Sequence, residues 1–103
     1  MPFRKFKSFQ LASNFYQSCA KLKMDQDLKR QLNRASSSIG LNIAESSGKR
    51  TLKDKRRFLY NAYGSAKECQ SILILANIHD PKLIDLIDHI SAILYNNIKR
   101  MGP

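Results

Sequence analysis

Residues 51–76 have the sequence TLKDKRRFLYNAYGSAKECQSILILA, and this stretch decides the fold. Small and apolar residues recur in it at intervals of three and four positions, the period of one face of an α-helix. Thr51 has the position of a helix N-cap, and Asp54, three residues later, has the position of the acidic residue in a capping box. We therefore predict a long helix that begins after Thr51. Its inner face is Leu59, Ala62, Ala66, Cys69, Leu73 and Ala76.

Two segments before this stretch show the same helical period, and sustained alternation of polar and apolar residues appears nowhere in the sequence. The first predicted helix covers residues 8–23, with an inner face of Phe9, Ala12, Tyr16, Cys19 and Ala20. The second begins at Asp25 and ends at 46–47, and Gly48 is expected to follow it in the left-handed conformation. Its inner face is Leu28, Leu32, Ala35, Ile39 and Ile43.

A fourth helix is predicted to begin at Pro81, directly after the N-cap Asp80. Its inner face is Leu83, Ile84, Ile87, Ile90, Leu94 and Ile98. Four helices joined by short connections predict an all-α fold, an up-down-up-down antiparallel four-helix bundle. We expect residues 1–103 to form this single domain, with residues 1–7 as a flexible basic N-terminal arm.

The positive charge is unevenly distributed along the chain. Lysine and arginine number 18 against 8 acidic residues, a net charge of +10, and residues 1–57 account for all of it. A field concentrated in this way indicates a polyanionic partner, most simply nucleic acid. The sequence has no apolar run long enough to cross a membrane, and Cys19 and Cys69 are far apart. We therefore expect a cytoplasmic protein with reduced thiols and no membrane partner.

Cationic and aromatic side chains on three segments are the candidates for nucleic-acid binding. The segments are the arm, the turn and helix start at 49–57, and a stripe that runs along the third helix on the side nearly opposite its core face. The candidates are Arg4, Lys5, Lys7, Lys49, Arg50, Lys53, Lys55, Arg56, Arg57, Tyr60 and Lys67. In the alternative interpretation, the bases are a solvated rim and Tyr60 and Tyr63 pack against a neighbouring subunit.

Polar residues on the second and third helices form a candidate structural cluster: Ser38, Asn42, Glu45, Ser65 and Glu68. We expect Asn42 and Ser65 to join the two helices by hydrogen bonds, with an acid nearby paired to Arg or Lys. Gly64 lowers helix propensity, so a close approach of another backbone is expected there.

Apolar residues on the fourth helix cover a wider arc than a bundle core requires. Leu86 and Ile93 lie beyond the inner face, which indicates self-association. Together with Tyr60 and Tyr63 they are the candidates for an oligomer interface.

No motif for catalysis or metal binding is present in the sequence, and we expect a non-enzymatic protein without cofactors. His79 and His89 are predicted surface residues, since neither has a cysteine or acid at metal-ligand spacing. Asp85 and Asp88 lie near His89 on one helix edge, but three side chains exposed to solvent need not bind a cation, and we predict no metal site there.

Three quoted segments carry a family resemblance: RASSSIGLNIAESSGK at 34–49, FL at 58–59 and AYGSAKE at 62–68. They resemble proteins encoded in intervening sequences of bacterial 23S ribosomal RNA genes, which typically read R-A-x-x-S-I-P-x-N-I-A-E-G-x-G-R, R-F-L and A-R-G-S-x-x-E. The sequence departs from that pattern with Gly40 for proline, Ser46 for glycine, Lys49 for arginine and Tyr63 for arginine.

The resemblance implies a non-enzymatic four-helix bundle that assembles into a homopentameric ring and associates with nucleic acid, with RNA favoured over DNA. Related proteins are accessory factors of diversity-generating retroelements, where they bind the reverse transcriptase and its RNA. Three hypotheses therefore stand: an RNA-binding scaffold that contacts the phosphate backbone, an adaptor for a reverse transcriptase, and a structural oligomer whose charge is incidental.

Overall fold

The computed structural model describes residues 2–102, and all regular structure in that range is helical. A one-turn 3₁₀ helix, Phe3–Lys5, precedes four α-helices: α1 (Lys7–Ala20), α2 (Gln26–Ser47), α3 (Leu52–Leu75) and α4 (Pro81–Arg100). Met1, at the start of the predicted arm, and Pro103 lie outside the described residues. The prediction of four helices and no strands is thus confirmed for residues 2–102.

The four helices pack as an antiparallel bundle. Each helix contacts its neighbours in the order α1, α2, α3, α4 and back to α1. Two contacts show that α3 and α4 are antiparallel. Tyr63 packs against Tyr95, whereas Gln70, which is later on α3, contacts Asp88, which is earlier on α4. The particle measures 40 × 23 × 22 Å. This fits four helices lying side by side, of which the longest, α3 with 24 residues, is about 36 Å long.

The predicted starts of α2, α3 and α4 are correct, and each of these helices has a side-chain cap. The Asp25 carboxylate accepts from the N–H of Leu28 at 3.1 Å, and the Thr51 hydroxyl accepts from the N–H of Asp54 at 3.1 Å. Asp80 accepts from two N–H groups in the first turn of α4. Such caps satisfy backbone donors that have no partner within the helix.

The predicted end of α2 at 46–47 is confirmed, but the predicted end of α1 and the predicted conformation of Gly48 are wrong. Helix α1 ends at Ala20 rather than at residue 23, and the Lys29 ammonium group donates to the carbonyls of Ala20 and Leu22 at this end. Gly48 is right-handed, with φ of −88°, because the N–H groups of Gly48 and Lys49 close the end of α2 with short turns. The left-handed conformation is found at Asn77 after α3, with φ of 57°.

The core follows the predicted faces except on α1. Tyr16 is 40% exposed and Ala20 is exposed, whereas the adjacent Phe15 is fully buried. The inward face of α1 is therefore Ser8, Ala12, Phe15 and Cys19. Residues one position apart differ by about 100° around a helix, so this error rotates the predicted face by about one residue.

Cys19 and Cys69 are both buried and unbridged in the bundle interior. Burial raises the pKa of the Cys19 thiol to about 12, against a smaller opposite effect of the Lys29 charge. Burial also raises the pKa of Cys69, with further contributions from Cys19 and Glu68. Both thiols are therefore held in the neutral form. Within residues 2–102, none of the helices is long and apolar enough to span a bilayer.

Candidate nucleic-acid interface

The bundle topology brings distant basic segments to one end of the molecule. The start of α1, the end of α2, the start of α3 and the end of α4 meet around a cavity of about 220 Å³, whose lining includes Ser8, Ser46, Lys55 and Asn97. The Ser46 hydroxyl donates to the carbonyl of Lys55 at 2.7 Å and fixes the α2–α3 turn. All four helices thus contribute to this end.

The guanidinium group of Arg56 on α3 donates to the carbonyl of Gly102, immediately beyond α4. This contact places the last turn of α4 beside the predicted basic cluster. Lys99 and Arg100 therefore belong to the same cluster. They do not stand out in the sequence, because residues 58–103 carry no net charge.

We call this surface the basic end. It contains eleven of the eighteen cationic residues: Arg4, Lys5, Lys7, Lys49, Arg50, Lys53, Lys55, Arg56, Arg57, Lys99 and Arg100. Two acids, Glu45 and Asp54, lie in the same helix ends. Most of the net charge of +10 is therefore gathered at one end of the particle.

The cations of the basic end are largely unpaired within residues 2–102. Among the basic-end cations, Arg57 alone forms an ion pair with a residue in the range 2–102, at 3.9 Å from Asp54, and both side chains are well exposed. Surface pairs of this kind contribute little. The other two ion pairs, those of Arg30 and Arg34, lie outside the basic end. The positive charge is therefore available to a partner.

A single aromatic ring organises part of the basic end. The Lys49 ammonium lies 4.9 Å from the centroid of the Phe58 ring, and the Arg57 guanidinium carbon lies 4.7 Å from it. Cations are attracted to the negative face of an aromatic ring at such distances. Phe58 therefore helps to hold two cations close together at the surface.

Part of the predicted N-terminal arm has helical structure and contacts the bundle. Phe3–Lys5 forms a 3₁₀ turn that packs against α1 and α2, with the Phe3 ring centroid 4.9 Å from that of Phe9. The Gln10 amide also donates to the carbonyl of Arg4 at 3.2 Å. The side chains of Arg4 and Lys5 remain exposed on this folded segment.

The predicted stripe along α3 borders α4 instead of lying opposite the core. Tyr60 is 56% exposed, but Tyr63 is half-buried, packs against the core, and has its ring centroid 6.1 Å from that of Tyr95. The Lys67 ammonium lies 5.2 Å from the Tyr63 ring centroid. Sequence analysis missed Tyr95, which is 53% exposed, because its partner is 32 positions earlier in the chain.

The structure brings together most of the polar cluster. The amide nitrogen of Asn42 donates to both the carbonyl and the Oγ of Ser38 at 2.9 Å, and the Ser65 hydroxyl donates to the same Oγ at 2.9 Å. Glu68 lies 3.7 Å from Arg34 on α2. Glu45 is exposed and takes no part in this network.

The candidate interface residues occupy different environments. Leu86 is half-buried and packs against the core of its own chain, whereas Ile93 is half-buried without being part of that packing. Gly64 is exposed, and a Cβ added there would have nothing within 4 Å, so the expected close approach does not occur within this chain. The most exposed aliphatic side chains are instead Ile74 and Leu75, at 77% and 72%.

The acids and histidines of α4 and its preceding loop make local contacts. The His79 ring nitrogen Nε2 lies 2.7 Å from the Asn77 side-chain oxygen, and the Gln70 amide donates to Asp88 at 2.7 Å. Within residues 2–102, His, Cys, Asp and Glu form no group of three that could hold a metal ion.

A comparison with protein families matches residues 5–100 to the 23S rRNA-intervening sequence proteins. The chain belongs to that family. The match spans all four helices, so it confirms the resemblance found in the α2 and α3 segments. A search of curated proteins finds none with significant similarity.

In this 23S rRNA-intervening sequence protein, the residue that replaces the usual proline of the family pattern has a packing role. Gly40 faces Phe9 and Ala12 of α1, and a Cβ there would lie 3.4 Å from the Phe9 ring, at the short end of ordinary van der Waals contact. Helix α2 continues through this position without interruption. The substitution thus retains a regular helix at the α1–α2 contact.

Proposed function

We propose that this protein is a non-enzymatic RNA-binding scaffold that contacts the phosphate backbone through its basic end. The observation that carries the proposal is the gathering of eleven cationic residues at one end, with one weak ion pair among them in the described part of the chain. Clustered, unpaired Lys and Arg bind polyanions by neutralising phosphates and releasing counterions. The family's association with a ribosomal RNA intervening sequence supports RNA over DNA.

A salt titration tests this proposal. If about five phosphates are neutralised, the logarithm of the binding constant should fall with the logarithm of salt concentration, with a slope of roughly −3.5 for single strands and −4.5 for duplex. Fluorescence anisotropy with labelled RNA measures this slope. Absence of binding at about 50 mM salt, where such contacts are strong, contradicts the proposal.

Two charge-matched triple variants locate the interface. Arg50, Lys53 and Lys99 are exposed at the basic end, whereas Lys21, Lys23 and Lys82 are exposed at the opposite end. Changing either set to glutamate lowers the net charge by the same amount. We expect the first variant to lose RNA binding and the second to retain most of it. Equal losses would show that only total charge matters.

Two expectations from the resemblance stay predictions. A homopentameric ring would give a light-scattering mass of about five chains, and the exposed Ile74 and Leu75 are apolar surface available for association. A strictly monomeric mass would contradict the ring.

An adaptor role for a reverse transcriptase is tested by copurification of the two proteins with their RNA.

A further inference from the structure

A groove between α3 and α4 lies beside the basic end and is not part of the backbone-binding surface. Its volume is about 380 Å³, within the range of small-molecule sites. Tyr63 and Lys67 from α3 and Tyr95 and Asn96 from α4 contribute to its lining. The two tyrosine rings are inclined at 46° to one another, and Tyr95 is 53% exposed. We call this feature the α3–α4 groove.

A buried hydroxyl in the groove lining has no partner. Ser91 is 4% exposed, and its Oγ makes no hydrogen bond within residues 2–102. Buried polar atoms are nearly always hydrogen-bonded, and an unpaired one costs about 1–3 kcal/mol. An unsatisfied group of this kind, on the wall of an open groove, indicates that a ligand supplies the missing hydrogen bond.

The other polar groups of the groove define the chemistry of that ligand. The Gln70 amide donates one hydrogen to Asp88 at 2.7 Å and keeps its second N–H and its oxygen, and Asn96 adds a further amide with donors and an acceptor. The Asp88 carboxylate repels phosphate, so an anion is a poor occupant. A flat molecule whose edge carries donors and acceptors suits both the amides and the tyrosine rings.

We propose that the α3–α4 groove binds an unpaired nucleobase of the RNA, stacked on Tyr95 and hydrogen-bonded at its edge by Asn96, Gln70 and Ser91. This inference rests on the proposed RNA-binding function. Lys67, with its ammonium near the Tyr63 ring, is placed to contact the adjoining phosphate. The groove gives the protein a preference for single-stranded segments over continuous duplex, which hides base faces and edges.

The position of the groove connects it to the basic end. Arg56, at the basic end, precedes Tyr63 by two helical turns on α3, a rise of about 10 Å. Tyr60 lies between them and is exposed. If the phosphates of a single strand bind the basic end, the adjacent nucleotides of the same strand are therefore close enough to enter the groove.

Binding of a labelled single-stranded RNA and of a blunt duplex of the same sequence tests the proposal, with Tyr95→Ala as the variant. Removing one base-stacking side chain should weaken single-strand binding about 10-fold or more and leave duplex binding unchanged. Tyr16→Ala is the matched control, because Tyr16 is a 40% exposed tyrosine on α1, outside the groove. The control should bind both RNAs as the wild type does.

Ser91→Ala provides a second readout. Replacing an unpaired buried hydroxyl by a methyl group should leave the free protein as stable or make it more stable, while weakening single-strand binding. The chain has no tryptophan, so quenching of tyrosine fluorescence by single-stranded RNA reports stacking directly and should decrease in Tyr95→Ala.

The outcomes separate the two proposals. If wild type binds both RNAs equally and Tyr95→Ala changes neither affinity, the groove proposal is wrong and the basic-end proposal stands. If wild type binds neither RNA at low salt, both are wrong. A loss of single-strand binding in Tyr95→Ala together with unchanged duplex binding supports both.

Discussion

The hydroxyl of Ser65 on α3 donates a 2.9 Å hydrogen bond to the hydroxyl oxygen of Ser38 on α2. Asn42 donates to that same oxygen at 2.9 Å. The Ser38 hydroxyl oxygen thus accepts one hydrogen bond from α2 and one from α3. Both bonds lie in the partly buried contact between the helices, where water competes less well for the polar groups.

Ser38→Ala should therefore destabilise the fold by about 1 kcal/mol, because the Ser65 hydroxyl loses its acceptor and Asn42 keeps only the Ser38 carbonyl. Urea denaturation followed by circular dichroism measures the free energy of unfolding. Ser37→Ala is the control, since the Ser37 hydroxyl donates only to the carbonyl of Arg34 within its own helix. Equal effects of the two substitutions would show that the interhelical bond adds nothing.

Gly64→Ala should stabilise the chain by about 0.5–1 kcal/mol, because alanine favours the helix more than glycine does. The position lies inside α3, and the added methyl group would meet nothing within 4 Å. Thermal unfolding at several protein concentrations measures the effect. A loss of stability that depends on concentration would contradict this expectation and place a second copy against Gly64.

Lys29→Met should destabilise the fold by about 1 kcal/mol, because the Lys29 ammonium satisfies carbonyls at the end of α1. Methionine retains a similar length and removes the donor. Lys23→Met at an exposed site of the same connection is the control, with an expected change near zero. If both variants unfold at the same urea concentration, the Lys29 contact does not stabilise the helix end.

Stability should fall with rising pH above about 9, because both thiols keep their protons in the folded state and lose them in the unfolded state. The Cys19 pKa is about 12 when folded, against 9.0 for an unperturbed thiol, and that of Cys69 is also raised. The unfolded chain therefore binds fewer protons between these pH values. Each thiol lowers the free energy of unfolding by up to about 1.4 kcal/mol per pH unit there.

The double variant Cys19→Ala, Cys69→Ala tests this pH dependence. It should be less stable at pH 7 because of the lost buried volume, yet its stability should decline less steeply between pH 9 and 11. Urea denaturation at each pH gives both slopes. Identical slopes would show that groups other than the thiols cause the decline.

The sequence predicted those parts of the fold that depend on near neighbours. The caps at Asp25, Thr51 and Asp80 act within three residues, so their side chains alone identify the helix starts. The choice between Phe15 and Tyr16 depends on where α2 packs against α1. The end of α1 depends on Lys29, nine positions beyond Ala20.

The candidate site was predictable only in part, for the same reason. The cations at 49–57 are adjacent in sequence and therefore stood out. Lys99 and Arg100 join them only through the antiparallel packing of α4 on α3. The α3–α4 groove combines Tyr63 with Ser91, residues that have no shared local pattern, so its unpaired hydroxyl becomes visible only in three dimensions.

The position of the basic end gives the particle a strong electric dipole along its longest axis. The electric field of a polyanion exerts a torque on such a dipole before contact, so the 40 Å particle would rotate until the basic end faces the polyanion. The opposite tip, where Ile74 and Leu75 are exposed near the end of α3, then trails in solvent. If the proposed function is correct, this dipole orients the protein before it contacts the nucleic acid, and added salt should slow association by weakening the torque.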